Sequence, residues 1–184
     1  VYLHELGVYK GQFADAKQVS NYDKAATNAH LFSFTEKLLE VTQKLPLFEP
    51  NADELITYIN DIDAEVIANA NNHWWLVPAY SLLKFGVISP DANGNLNAYQ
   101  QLRQIQAAQT LLIAAKLLEP QADLSTQEAV SGRVRAIQEK FQELSLTINP
   151  EANATIGDLV AMTARLIRAA RNPYLFQTQN TQNR

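Results

Sequence analysis

The sequence predicts an all-α protein, an antiparallel bundle or array of five to six helices. It has only six glycines and seven prolines in 184 residues, and it is rich in Ala, Leu and Gln. These three residue types lose little side-chain freedom in a helix. Apolar residues recur three and four positions apart along most of the chain, as on the buried face of a helix.

A four-residue phrase, Pro-x-Ala-Asx, separates the apolar stretches at Pro50, Pro90, Pro120 and Pro150. Proline cannot continue a helix, and the Asp or Asn three residues later can accept a hydrogen bond from the unpaired amides of the next helix. The phrase therefore predicts a stop and a new start. Loops this short return the chain alongside itself, which favours antiparallel neighbours.

The length fits one domain, which can bury about 70% of its unfolded surface. We expect residues 1–20 to form an N-terminal connector, 21–175 a single helical domain and 176–184 a flexible polar tail. The chain starts at Val1 without a continuous apolar signal-peptide core, so we expect a processed or partial product. Its longest apolar runs, 74–80 and 110–115, are far shorter than the roughly 20 residues needed to cross a bilayer.

The first helices follow from apolar spacing. A helix is predicted over about 23–45, with Leu31, Phe34, Leu38, Val41 and Leu45 on one face. After Pro50, Asn51 and Glu54 have capping-box spacing. The buried stripe predicted for that helix is Leu55, Ile56, Ile59, Ile62, Val66 and Ala70.

The middle of the chain contains a short helix that ends near Phe85, with Pro78 in its first turn. Gly86 suits a left-handed C-terminal cap. Residues 87–97 are expected to form a minimal hairpin or an ordered loop. A long helix is predicted from about Leu96 to Leu118.

Two helices are predicted after Pro120, each opened by a capping box. Ser125 with Glu128 begins the first, and Thr155 with Asp158 begins the second. The predicted stripe of the first is Val130, Val134, Ile137, Phe141, Leu144 and Ile148. That of the second is Ile156, Leu159, Val160, Thr163, Leu166, Ile167 and Ala170.

Catalytic and metal-binding signatures are missing from the sequence. The chain has no cysteine, which excludes disulfides, thiolate metal sites and cysteine nucleophiles. Its three histidines, His4, His30 and His73, lack metal-binding spacing. We therefore predict no catalytic residue, no metal and no cofactor. Asp91, Asn93, Asn95 and Asn97 alternate as calcium ligands do, but glycine is misplaced and the twelfth position is Leu102, so a turn is the better interpretation.

The densest aromatic cluster surrounds two adjacent tryptophans. Trp74 and Trp75 cannot both face one core at the start of a helix, so at least one is expected to be exposed. Trp74, Trp75 and Tyr80 are therefore interface candidates, with core filling as the equal alternative. A ligand pocket between helices near Asp63, His73 and Trp74 is a second interpretation.

Basic residues recur every third position late in the chain, at Arg165, Arg168 and Arg171. The segment 45–129 carries three basic and ten acidic residues, whereas 130–184 carries seven basic and four acidic ones. This patch on an acidic protein lacks the interleaved aromatics of a nucleic-acid binder, so it favours an acidic protein partner. Regulatory nucleic-acid binding through these arginines is the third interpretation.

Two likenesses concern the N-terminal residues. The segment 2–9, followed by Tyr22, is similar to 80–88 followed by Tyr99, which would fit duplication of a helical unit or shared cap chemistry. The segment 7–11, Gly-Val-Tyr-Lys-Gly, followed by Tyr22, resembles a segment in the helical periplasmic region of IcmF-type type VI secretion proteins. The family's proline further along is Phe32 or Ser33 here. The resemblance implies a non-enzymatic scaffold that binds neighbouring envelope subunits.

The sequence thus favours a non-enzymatic helical scaffold or adaptor that presents helix faces to protein partners, in a larger assembly such as envelope or secretion machinery. Homo-oligomerisation is left open. Cytoplasmic and exported locations both fit the composition.

Overall fold

A computed structural model describes residues 22–43, 45, 48–69, 72–120 and 124–172. The fold is all-α, as predicted, and the described residues include seven helices. The helices are α1 Asn28–Gln43, α2 Ala52–Tyr58, α3 Ala64–Ala68, α4 Leu76–Lys84, α5 Gln104–Ala114, α6 Gln127–Glu143 and α7 Ile156–Arg171. The predicted connector over residues 1–20 and the tail over 176–184 lie outside the described residues.

Three distant backbone segments meet in a closed ring of hydrogen bonds, formed by Ala26, Leu102 and Ala154. The Ala26 N–H donates to the Ala154 carbonyl at 2.8 Å, the Ala154 N–H donates to Leu102 at 2.8 Å, and the Leu102 N–H donates to Ala26 at 3.0 Å. All three residues are fully buried. The ring therefore gives each buried amide and carbonyl a partner without help from water.

The hydrogen bonds beside the ring repeat with approximate threefold symmetry. Two residues after each ring residue, a backbone N–H donates a hydrogen bond. Its acceptor is the carbonyl two residues before a different ring residue. These bonds run from Asn28 to Gln100 at 3.2 Å, from Gln104 to Ala152 at 2.9 Å and from Ile156 to Lys24 at 2.9 Å. The helices α1, α5 and α7 all begin two residues after a ring residue, and each contacts the other two.

The same capping arrangement opens α1, α5 and α7, which we call the ring helices. In each, the N–H of the residue before the helix donates to the side chain three residues on. The pairs are Thr27 with His30 Nδ1 at 3.2 Å, Arg103 with Gln106 Oε1 at 3.0 Å and Thr155 with Asp158 Oδ2 at 2.8 Å. The capping box predicted for Thr155 and Asp158 is thus confirmed.

The outer helices extend this repeating plan, because α4 packs on α1 and α6 packs on α5. Helix α4 ends at Lys84, and Gly86, two residues further on, has a φ of +67°, which confirms the predicted left-handed cap. Helix α6 ends at Glu143 in the same way, with Ser145 at a φ of +58°. A matching hydrogen bond closes each end, from Val87 to Leu82 and from Leu146 to Phe141, both at 2.9 Å.

The helix predicted from Leu96 begins at Gln104 instead. The intervening segment, 96–103, cannot be helical because its backbone bonds lead to other parts of the chain. The Ala98 carbonyl accepts from the Ala29 N–H at 2.7 Å, and Leu102 belongs to the ring. Of the two alternatives for residues 87–97, the ordered loop is correct, since none of them lies in a strand or bridge.

The single helix predicted after Pro50 is also wrong, because a turn at 59–63 divides it into α2 and α3. Asn51 does cap α2, accepting the Glu54 N–H at 3.2 Å. Leu55, Ile59 and Ile62 are buried as predicted, but Ile56 is 47% exposed. Ile56 is exposed because α2 is short and buries only one of its residues, Leu55.

The remaining corrections concern helix ends. Thr126, not Ser125, caps α6 by accepting the Ala129 N–H at 3.1 Å. Val130 on α6 is 37% exposed, and Ala170 is exposed on α7, although both were predicted to face inward. The structure describes three copies of the Pro-x-Ala-Asx phrase, and in none of them does the Asx residue cap the next helix. Asn51 caps α2 and Thr155 caps α7 instead. No helix follows Asn93 until α5.

Candidate functional site: an aromatic surface beside helix α1

The two adjacent tryptophans have different environments. Trp75 is only 3% exposed, and its Nε1–H donates to the Tyr99 hydroxyl at 3.1 Å. Its ring lies 6.1 Å from that of Tyr99 and 6.5 Å from that of Phe32 on α1. Trp75 is therefore a core residue whose polar atom is paired, which is what a buried indole requires.

Trp74 is the exposed member of the pair, with half of its surface accessible. Its ring centre lies 5.3 Å from that of His30, and the two planes are tilted by 55°. His30 is itself held in place, because its Nδ1 lies 3.2 Å from the Thr27 amide nitrogen and 2.9 Å from the Thr27 hydroxyl. The indole is thus supported on one side and open on the other.

Tyr99 contributes a second exposed ring beside Trp75, with 66% of its surface accessible. The segment that carries it is tied to the start of α1, since the Asn28 side chain donates to the Asn97 carbonyl at 3.0 Å. We call Trp74, His30 and Tyr99 the aromatic surface. Three separate parts of the chain supply these side chains. Backbone hydrogen bonds beside the three-residue ring position two of them, the start of α1 and the segment that carries Tyr99.

Tyr80, the third aromatic interface candidate, is 5% exposed and lies in the core. Its hydroxyl donates to Glu54 at 2.8 Å, and Lys84 forms an ion pair with the same carboxylate. The hydrogen bond from Lys84, followed by that from Tyr80, lowers the pKa of Glu54. These contacts join α2 to α4, so the Tyr80 hydroxyl stabilises the packing of the two helices.

The proposed pocket residues divide between two environments. Asp63 is exposed and caps α3, where its Oδ1 accepts the Val66 N–H at 2.9 Å. The His73 ring lies 6.0 Å from that of Trp75, and its Nδ1 is buried without a partner in the part of the chain that the structure describes. Only His73 therefore combines proximity to the tryptophans with an unused polar atom.

The three arginines predicted as a basic patch differ in their exposure. On α7, Arg165 is half-buried, whereas Arg168 and Arg171 are exposed near the helix end. On α6, Arg135 pairs with Glu139 at 2.8 Å. Cations in the last turn of a helix favour its dipole, which accounts for Arg168 and Arg171 without a ligand.

The Asp91 segment is a turn, as the sequence indicated. Asp91 Oδ1 accepts the N–H groups of Asn93 at 2.8 Å and Asn95 at 2.9 Å, and Oδ2 accepts the Asn97 side chain. The bond from Asn95 is the largest cause that lowers the pKa of Asp91. Across the described ranges, no group of three or more His, Asp or Glu residues is placed to hold a metal ion.

A surface cavity of about 530 Å³ lies between the ends of α1, α4 and α5. Its apolar lining includes Leu39, Leu45, Phe85, Val87, Ile113 and Leu118. Sequence reasoning missed this cavity, because it is formed by helix ends far apart in the chain. It also missed the pairing of Thr27 with His30, although their spacing is that of a capping box.

No family model matches the chain, and no curated protein is significantly similar to it. Among the helices that the structure describes, none is long and apolar enough to cross a membrane. The IcmF-type resemblance rests mainly on residues 7–11, which lie outside the described ranges, and it stays a prediction.

Proposed function

We propose that this protein is a non-catalytic adaptor that binds a protein partner through the aromatic surface. The main support is the state of Trp74, a large apolar side chain that is half exposed yet held against His30. Binding energy in protein interfaces concentrates in a few residues, and tryptophan and tyrosine are the most enriched among them. A supported ring also loses less conformational freedom on binding than a free one.

The structural setting of the surface supports the same function. Tyr99 lies beside the buried Trp75, whose indole donates a hydrogen bond to the Tyr99 hydroxyl, and Trp74 directly precedes Trp75 in the chain. The backbone bond from Ala29 to Ala98 fixes the Tyr99 segment against α1. A partner would therefore meet exposed rings carried by a rigid core. The resemblance to IcmF-type scaffolds agrees with this proposal.

The test is partner capture by the purified chain from an extract of its native source, with Trp74→Ala beside a matched control. Tyr58→Ala removes another exposed ring, 67% accessible, which lies near Leu83 and Lys84 at the opposite end of α4. We expect Trp74→Ala to lose a defined partner that Tyr58→Ala and the wild type retain. Equal capture by all three chains, with unchanged circular dichroism, would rule out this surface as the interface.

A small ligand is the second candidate, favoured by the unpartnered Nδ1 of His73 beside the Trp75 ring. A buried polar atom without a partner is uncommon in folded proteins and can mark a ligand contact. Thermal-shift screening of metabolites with the wild type and His73→Phe would test it. A compound that stabilises only the wild type would support this candidate, and the absence of any such compound would dismiss it.

A further inference from the structure

We infer that His30, in its Nε2–H tautomer, is a specificity-determining donor of the aromatic surface, which therefore selects a partner group with an acceptor oxygen next to an apolar ring or side chain. This inference rests on the proposed function and names the chemistry of the partner at that site. The inference follows from the hydrogen bond that His30 already makes through Nδ1.

The tautomer is determined by the cap of α1. The Thr27 backbone N–H can only donate, and it points to His30 Nδ1 at 3.2 Å. Nδ1 must therefore carry a lone pair, and in a neutral ring the proton is then on Nε2. Burial lowers the pKa of His30, which keeps the ring neutral near pH 7.

The remaining nitrogen is available for recognition. The two ring nitrogens point in widely different directions, so Nε2–H is directed away from Thr27. No residue in the described ranges accepts a hydrogen bond from it. The half-exposed Trp74 indole lies against the same ring, with centres 5.3 Å apart. A partner group in contact with Trp74 thus meets an N–H donor at its edge.

The chain itself provides the comparison that isolates this donor. At the equivalent position of the other ring helices, Gln106 accepts the Arg103 N–H through Oε1, and Asp158 accepts the Thr155 N–H through Oδ2. Both side chains make the cap. Only the glutamine amide keeps a donor for a ligand, because an ionised aspartate is an acceptor alone. His30→Gln therefore retains cap and donor, whereas His30→Asp retains only the cap.

The experiment uses two neutral probes with the full chain. Acetophenone carries a ring and an acceptor oxygen, whereas toluene carries the ring alone, and neither introduces a charge effect with aspartate. Binding is followed by NMR on the Trp74 indole N–H, assigned with Trp74→Phe, and the paired Trp75 indole serves as the internal reference. Imidazole ¹⁵N shifts report the His30 tautomer in the same samples.

We expect an Nε2–H tautomer and tighter binding of acetophenone than of toluene in the wild type and in His30→Gln. His30→Asp should weaken acetophenone by about three- to tenfold, the value of one net hydrogen bond, and leave toluene unchanged. An Nδ1–H tautomer, no preference for acetophenone in the wild type, or equal acetophenone binding by both variants overturns the inference. Because these readouts need no natural partner, they are separate from the capture test of the proposed function.

Discussion

Helix α7 and the segment that holds α2 and α3 start with the same local chemistry but reach different burial. Thr155 and Asn51 each cap a helix by accepting an N–H three residues on. Helix α7 then buries seven residues, whereas α2 buries one and α3 none. Capping thus decides where a helix begins, but contact with the other ring helices decides how much of it is buried.

The two regions also differ in their mix of contacts. The ring helices pack through apolar side chains, whereas 52–68 buries three apolar residues and is held in addition by polar contacts. Asp61 accepts the N–H groups of Leu96 at 2.8 Å and Asn97 at 2.7 Å. The Asn60 N–H donates to the Gly94 carbonyl at 2.8 Å. Substitutions in the two regions should therefore differ in size and in how far their effects spread.

The largest difference is expected between Leu102→Ala and Ile56→Ala. Leu102 belongs to the ring and is completely buried, so truncation of its side chain leaves a cavity and should lower the free energy of unfolding by about 2–5 kcal/mol. Ile56 is 47% exposed, and its truncation should change stability by less than about 0.5 kcal/mol. Urea unfolding followed by circular dichroism measures both. Similar losses would contradict the distinction between the regions.

Asp61→Ala should cost less and act locally. It leaves the Leu96 and Asn97 amides without their acceptor, which should lower the free energy of unfolding by about 1–2 kcal/mol. Amide hydrogen exchange should accelerate at these two residues and remain slow in α7. Asp53→Ala, which removes an exposed carboxylate from the first turn of α2, serves as the control. Uniform acceleration across the chain would show that Asp61 supports the whole fold.

Thr163 within α7 and Thr155, the residue that caps it, should respond in opposite directions to substitution by valine. The Thr163 hydroxyl is buried without a partner in the described part of the chain, so Thr163→Val should raise the free energy of unfolding by about 1 kcal/mol. The Thr155 hydroxyl caps the helix, and Thr155→Val should lower it by about 1 kcal/mol. Chemical denaturation of both variants checks the signs. Destabilisation by Thr163→Val would show that its hydroxyl has a role.

The smallest effects concern two carboxylates with opposite pKa shifts. Burial raises the pKa of Glu36 on α1, so the charged side chain destabilises the fold. This destabilisation disappears as pH falls through the raised pKa and the carboxyl is protonated. Hydrogen bonds, first from Asn95, lower the pKa of Asp91, so its stabilising contribution is complete well above about pH 3.9, declines below that pH and is lost as pH falls through the folded value. Carboxyl ¹³C NMR should show Glu36 titrating above Asp91 by more than their ordinary difference; coincidence with model peptides would refute both shifts.

The aromatic surface could be predicted only in part. Two adjacent tryptophans required different environments, and the structure exposes Trp74 while it buries Trp75. Which one would be exposed depended on α1 and on the position of Tyr99, and neither is close in sequence. For Tyr80 the structure favours the core alternative, since the side chain is 5% exposed and its hydroxyl donates to Glu54 of α2.

By itself, the sequence determined the helical class, the cap of α7 at Thr155 and the left-handed cap after α4 at Gly86. These features depend on hydrogen bonds and backbone angles within a few residues, so local residue types suffice. Only the tertiary structure decided the ring of Ala26, Leu102 and Ala154, and with it the late start of α5. Those backbone groups pair across long stretches of chain, and a main-chain amide carries no residue-specific signal of its distant partner.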